Sequence, residues 1–217
     1  MKRLLATIVG AILCAIALAG IPAAAQAGSG MVLSREVREG NIESNTQPHA
    51  GTSVQWGRAI AVVDAPAADV MAVIQNYAGY KSFLPNFQAS RVLSQRGASA
   101  LVYMQVSILH GTGKIWAEVK LRPRQSQGAT QILEGRMTKG NVHLFEAMWE
   151  VTPLDAQRSV VAFQILVDPD MPLPSSLISG ENQKTARKTI RALRELIAQR
   201  KAHVPAAQAS LPTQAKR

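Results

Sequence analysis

The stretch from Ala61 to Phe87, AVVDAPAADVMAVIQNYAGYKSFLPNF, decides the fold. The run Ala59 to Val63, dense in β-branched and small apolar residues, reads as a strand that stops at Asp64-Ala65-Pro66. Asp64 is placed to cap a following helix, Pro66 suits its first turn, and Val70, Val73 and Ile74 recur on one helical face. Gly79, Pro85 and the aromatics Tyr80, Phe83 and Phe87 then break the periodicity, which predicts a second, irregular helical turn closing over the edge of a sheet.

Downstream, six segments read as strands: Arg91 to Gln95, Leu101 to Leu109, Lys114 to Arg122, Thr130 to Met137, Val142 to Thr152 and Ser159 to Val167. Their separators are short and turn-rich, among them Arg96-Gly97-Ala98 and Lys139-Gly140-Asn141, so hairpins in an antiparallel meander are the economical connection. Three prolines in Asp168 to Pro174 lack the ladder donor and make that segment a strap. A helix follows from about Ser176 or Glu181 to Lys201, with Ala186, Ile190, Leu193 and Ile197 forming one apolar stripe. Residues 202–217 carry Pro205 and Pro212 without an apolar face and are expected to be disordered. Upstream, residues 28–51 read as a partly ordered lead-in to a domain over 52–201, with Met31-Val32-Leu33 able to add a short edge strand.

At the N-terminus, Lys2 and Arg3 precede an apolar run from Leu4 to Ile21, and Ala25-Gln26-Ala27 offers the small residues of a cleavage site. Residues 1–27 therefore read as a signal peptide cleaved near Ala27, which places the mature chain in the periplasm or outside the cell; a retained anchor is the alternative. The single cysteine, Cys14, leaves with the leader, so the mature fold rests on its core without disulfides. With 217 residues, 47% of them hydrophobic and 18% charged, the composition is that of a globular protein. Subtracting Lys2 and Arg3 from 24 basic residues leaves 22 against 14 acidic ones, a net charge of +8. That balance favours anionic surfaces, and export makes lipid headgroups likelier partners than nucleic acid.

Strand alternation gives each segment an inner face: Ile115, Ala117, Val119 and Leu121; Phe145, Ala147, Trp149 and Val151; Val161, Phe163, Ile165 and Val167. The element order resembles the START-like superfamily, and the local motifs Tyr80-x-x-Phe83-Leu84-Pro85, Ser90-Arg91-Val92-Leu93 and Phe145-x-x-x-Trp149-x-Val151-x-Pro153 are similar to its polyketide cyclase/dehydrase and coenzyme Q-binding group. The resemblance covers about Ser53 to Ala198. It implies an α+β helix-grip fold, a curved antiparallel sheet of about seven strands wrapped around the C-terminal helix. It also implies a cavity between sheet and helix for a hydrophobic small molecule or lipid, a quinone being one family option. Its wall would draw on Tyr80, Phe83, Phe87, Val119, Phe145, Trp149, Val161, Phe163, Ile165, Ile190 and Leu193; the same residues could instead fill a solid core.

Polar chemistry is sparse. The four histidines, His49, His110, His143 and His203, sit in no recognisable motif, and of these only His143 begins a strand that could turn it inward. Glu134 and Arg136 share a strand face and would orient a polar ligand group if that face were the inner one. No metal constellation or cofactor motif is present, and His110-Gly111-Thr112-Gly113 joins two strands rather than opening a helix. Lys184, Arg187, Lys188, Arg191 and Arg194 give the last helix a basic face, either simply solvated or able to meet anionic lipid transiently. No aromatic residue is interleaved with them, so the stacking part of single-strand binding is missing. Carriage of a hydrophobic ligand is the preferred reading, with an aromatase or cyclase using the same cavity, or an interaction module working through the basic helix, as alternatives.

Overall fold

In a computed structural model, residues 32–108, 113–124, 128–169 and 171–208 are described. The expected leader, residues 1–27 with Cys14, lies outside them, as do His110 and residues 209–217. No described helix is long and apolar enough to cross a membrane.

The first expected strand is β2, Trp56–Val63, whose burial alternates strictly so that Gly57, Ala59, Ala61 and Val63 face inward. It ends, as its sequence predicts, ahead of helix α2, Ala67–Ile74, which buries Val70, Val73 and Ile74. Asp64 does not cap this helix. Pro66 occupies the N-cap, no side chain bonds there, and its carbonyl accepts from the amides of Asp69 and Val70 at 3.0 and 3.1 Å. The irregular turn is a 3-10 turn, Tyr77–Gly79, followed by helix α3, Tyr80–Phe83. It carries the chain to the far edge of the sheet, where β3, Phe87–Arg96, begins an antiparallel run through β4, Ser99–Ile108, β5, Gly113–Arg124, β6, Gln131–Gly140, β7, Val142–Pro153, and β8, Ser159–Pro169.

The sheet has eight strands, in the order β1-β2-β8-β7-β6-β5-β4-β3, every pairing antiparallel. The strand beyond the expected seven is β1, Glu43–Gln47, in the stretch expected to be only partly ordered. It pairs with β2 from Glu43↔Ile60 to Gln47↔Trp56, after a short helix α1, Arg35–Arg38, capped by the Ser34 side chain. Val32 and Leu33 form no strand. The domain thus starts well before residue 52.

Helix α4 runs from Ser175 to Gln208, seven residues past its expected end at Lys201, so the first part of the expected disordered tail is helical. The helix lies over β1, β2 and β8. Gly57 sets its height: a Cβ there would stand 2.0 Å from the backbone carbonyl carbon of Asn182, so only glycine admits this approach. Asn182 fastens the contact, donating to the carbonyls of Gln55 and Val167, each at 3.2 Å, and accepting from the Val167 amide at 3.3 Å. Three turns further on, Arg194 donates to the Val62 carbonyl at 2.5 and 2.8 Å and to the Gly40 carbonyl at 2.9 Å. Between these two fastenings the stripe Ala186, Ile190, Leu193 is fully buried, with Ile197 following, against α2 and the inner faces of the sheet.

Candidate functional site

Helix α4 covers one end of the sheet, while β3 to β7 curve past it. The space between them is a cavity of about 700 Å³. Its sheet wall is largely apolar: Met104 and Val106 of β4, Ile115, Val119 and Leu121 of β5, Phe145, Ala147 and Trp149 of β7, and Phe163, Ile165 and Val167 of β8, with Gln88 of β3 and Ser107 of β4 as its polar members. On β5, β7 and β8 these are the inward positions that alternation predicts, and Trp149 and Phe163 meet with ring centroids 4.3 Å apart. Gly135 of β6 lines the cavity and pairs directly with Ala147 of β7, and the Leu121 and Val119 side chains of β5 lean over it, 3.0 and 3.2 Å from where a Cβ at residue 135 would stand.

The second wall is the turn after α3, with Leu84, Pro85, Asn86 and Phe87, and the third is the strap, with Pro169, Met171 and Leu173. Tyr80 anchors the turn. Its hydroxyl donates to the Ile74 carbonyl at 2.6 Å, its ring meets Tyr77, Phe83 and Phe87 edge-on at 6.0 to 6.1 Å, and burial pushes its phenol far above the ordinary tyrosine value, with a smaller contribution from Tyr77. Asn86 takes a left-handed backbone (φ 64°), which asparagine tolerates better than most residues, and its carbonyl accepts from Ser107 at 2.9 Å. The fourth wall is the N-terminal half of α4: Leu177, Ile178, Glu181, Asn182, Thr185, Lys188 and Thr189. Exposed Asn86, Gln88, Leu177, Glu181 and Lys188 mark the mouth, and buried Val119, Leu121, Trp149 and Phe163 the floor.

The cavity gathers seven of the expected wall residues: Tyr80, Phe87, Val119, Phe145, Trp149, Phe163 and Ile165. Four others lie elsewhere. Phe83 packs half-buried against Tyr80, and Val161, Ile190 and Leu193, each fully buried, belong to the solid core. The reason is the position of the cavity, which meets α4 on the side carrying Asn182, Thr185 and Thr189, beside the apolar stripe. Thr185, Thr189 and Asn182 stand on its helix wall and were not foreseen; Thr185 and Thr189 immediately precede Ala186 and Ile190, and Asn182 lies one turn before Ala186, which is the signal that could have shown them.

The expected polar pocket of Glu134, Arg136 and His143 is not inside. Because Leu133 and Gly135 face inward on β6, Glu134 and Arg136 face out. Glu134 there accepts from Arg136 at 2.6 Å and Arg122 at 3.4 Å, and Arg136 reaches Glu146 at 3.6 Å. Burial alone would raise the Glu134 carboxyl, but the Arg136 hydrogen bond and the charges of Arg136 and Arg122 outweigh it and hold the carboxyl below its ordinary value. His143 is exposed at a register irregularity at the start of β7. His49, expected in a flexible end, packs its ring on Trp56 at 5.6 Å and approaches Glu146 at 3.4 Å. Of the basic helix face, Lys184, Arg187, Lys188 and Arg191 are exposed, whereas Arg194 is half-buried in its carbonyl contacts and is not part of a free surface.

The sequence profile of the polyketide cyclase/dehydrase and lipid transport family matches residues 63–194, from the end of β2 to the middle of α4. The chain belongs to that family. The START-like fold is shared with solved structures at low identity. A STAR-related lipid transfer protein from Xanthomonas axonopodis is 18% identical, covers 72% of this chain and 93% of its own, and superposes with a TM-score of 0.62. Human StAR-related lipid transfer protein 5 is 9% identical, covers 73% and 82%, and gives 0.64. A START superfamily protein from Mycobacterium smegmatis is 14% identical, covers 66% and 97%, and gives 0.59. No curated protein matches the sequence.

Proposed function

We infer that this START-like protein binds a hydrophobic small molecule or lipid in the cavity and shields or carries it outside the cytoplasm. The observation that carries the reading is the 700 Å³ cavity with an apolar sheet wall, of a size that suits a small-molecule site. Membership of a family described by polyketide cyclisation and lipid transport, and the lipid transfer proteins that share the fold, support the same direction. Affinity would rest on apolar burial, about 25 cal/mol for each Å² removed from water. Access would need movement of the Leu84–Phe87 turn or of the strap, the two walls outside the main sheet and helix.

The extracytoplasmic location rests on the leader-like sequence from Lys2 to Ala27. Transient docking on anionic lipid would use Lys184, Arg187, Lys188 and Arg191, without Arg194. For catalysis in the same cavity, the titratable groups on its wall among the described residues are Tyr80, Glu181 and Lys188, and the Tyr80 hydroxyl is committed to Ile74. That favours carriage over acid-base chemistry. Native mass spectrometry of the purified full chain, with lipid extraction, tests the reading. A copurifying apolar ligand of one cavity volume is expected, and its absence across several preparations, with no uptake of added ligands, would overturn it. The mass of the exported polypeptide checks cleavage near Ala27.

A further inference from the structure

The cavity wall is chemically uneven. Apart from Gln88 of β3 and Ser107 of β4, its sheet side carries apolar side chains, Phe145, Ala147, Trp149, Phe163 and Ile165 among them, whereas Thr185, Lys188 and Thr189 fall on a single turn of α4. They form a graded strip: Thr189 is 4% exposed and deep, Thr185 is intermediate, and Lys188 stands exposed at the mouth. The acidic residue at the same mouth is already engaged, because Glu181 accepts from Lys184 at 2.8 Å, and Lys184 lies outside the cavity wall. The Asn182 amide is likewise occupied by Gln55 and Val167. Lys188 has no ion-pair partner among the described residues. What this helix wall offers the polar end of a ligand is therefore an ammonium flanked by hydroxyls.

Volume fixes the apolar part. At about 30 Å³ per chain carbon, the space a liquid water molecule takes, a sixteen-carbon chain fills about 480 Å³ and two such chains about 960 Å³. A cavity of about 700 Å³ holds one chain with its head and not two.

We propose that the occupant is a single-chain amphiphile with a carboxylate head, its chain along the β5, β7 and β8 wall and its head held at the mouth by Lys188 with Thr185. This rests on the cavity reading above and adds the charge of the ligand and its number of chains. An ammonium-carboxylate hydrogen bond is shorter and roughly twice as strong as a neutral one, so the head should distinguish ligands with identical tails.

Nile red bound to the full chain provides the assay, displaced by hexadecanoate or by hexadecanol below their aggregation concentrations. Hexadecanoate should displace it at roughly five- to tenfold lower concentration, the scale of one charge-assisted contact at a partly exposed site. Lys188→Met should abolish that preference while hexadecanol binding persists, Lys188→Glu should reverse it, and Arg200→Met, on the same helix but outside the wall and the docking face, should leave it intact. Equal displacement by both compounds, or a preference that survives Lys188→Met or is lost equally in Arg200→Met, overturns the proposal and leaves the cavity reading standing. Failure of Nile red and both compounds to bind overturns the two together.

Discussion

Replacing Ala147 with leucine separates an open, working cavity from a solid core by the sign of one number. Ala147 lines the cavity, with Gly135 opposite it on β6 and Ile165 on β8, so in an open cavity a larger side chain there extends into the ligand space. Leucine adds three carbons, about 90 Å³ at about 30 Å³ each. At about 24 cal/mol for each Å³ of cavity removed, the unliganded protein gains up to about 2 kcal/mol. For a chain of this length that is about 4 to 8 °C in Tm. The same three carbons displace about three carbons of ligand, and at about 0.8 kcal/mol per methylene this costs about 2 kcal/mol, or roughly thirtyfold in Kd. Calorimetry on the delipidated protein and Nile red titration measure the two sides. A fall in Tm equivalent to about 1 to 3 kcal/mol would mean overpacking and refute the open cavity. A rise in Tm with unchanged binding would place the ligand elsewhere.

The remaining predictions concern what positions the site. Gly57→Ala puts a Cβ 2.0 Å from the Asn182 backbone, forces α4 off β2, and should cost more than about 3 kcal/mol in urea denaturation, a large value among single substitutions. Arg194→Met leaves the carbonyls of Val62 and Gly40 without their donors and should cost about 1 to 3 kcal/mol, with Arg194→Lys restoring part of it. Glu134→Gln tests the outer-face ion cluster through pH: the folded carboxyl lies below its ordinary value, so its contribution is complete above the unfolded value near pH 4.3 and is lost as pH falls through the folded one. The stability gap between wild type and variant should therefore be flat above about pH 5 and close on acidification, while ligand binding at neutral pH stays unchanged.

How far the sequence reaches depends on whether a residue's environment is set locally or across strands. The order of elements, the α2 face and the inward positions of β5, β7 and β8 follow from period alone, and they are legible. The strand β1 is not, because ESNTQ has no apolar face and becomes a strand only by completing the ladder of β2. On β6 the phase is ambiguous in sequence, since Ile132 and Leu133 place apolar side chains on both faces and Gly135 gives no mark; pairing with β7 sets it, and turns Glu134 and Arg136 outward. The cavity is hardest to read because it is a shortage of side chain. It is lined by residues from β4 to β8 together, among them the pair Gly135 and Ala147, so its place depends on register across several strands. Along α4 the border of the stripe is informative once that register is known: Ala186, Ile190 and Leu193 go into the core, Thr185 and Thr189 stand beside them on the cavity wall, and Asn182 lies one turn before Ala186. Polar residues on a buried face are costly without partners. Asn182 has its partners in Gln55 and Val167, whereas the threonines face the cavity. The core face of the helix is therefore bordered by a polar edge that a ligand's polar end could meet, and that border marks the cavity wall on α4.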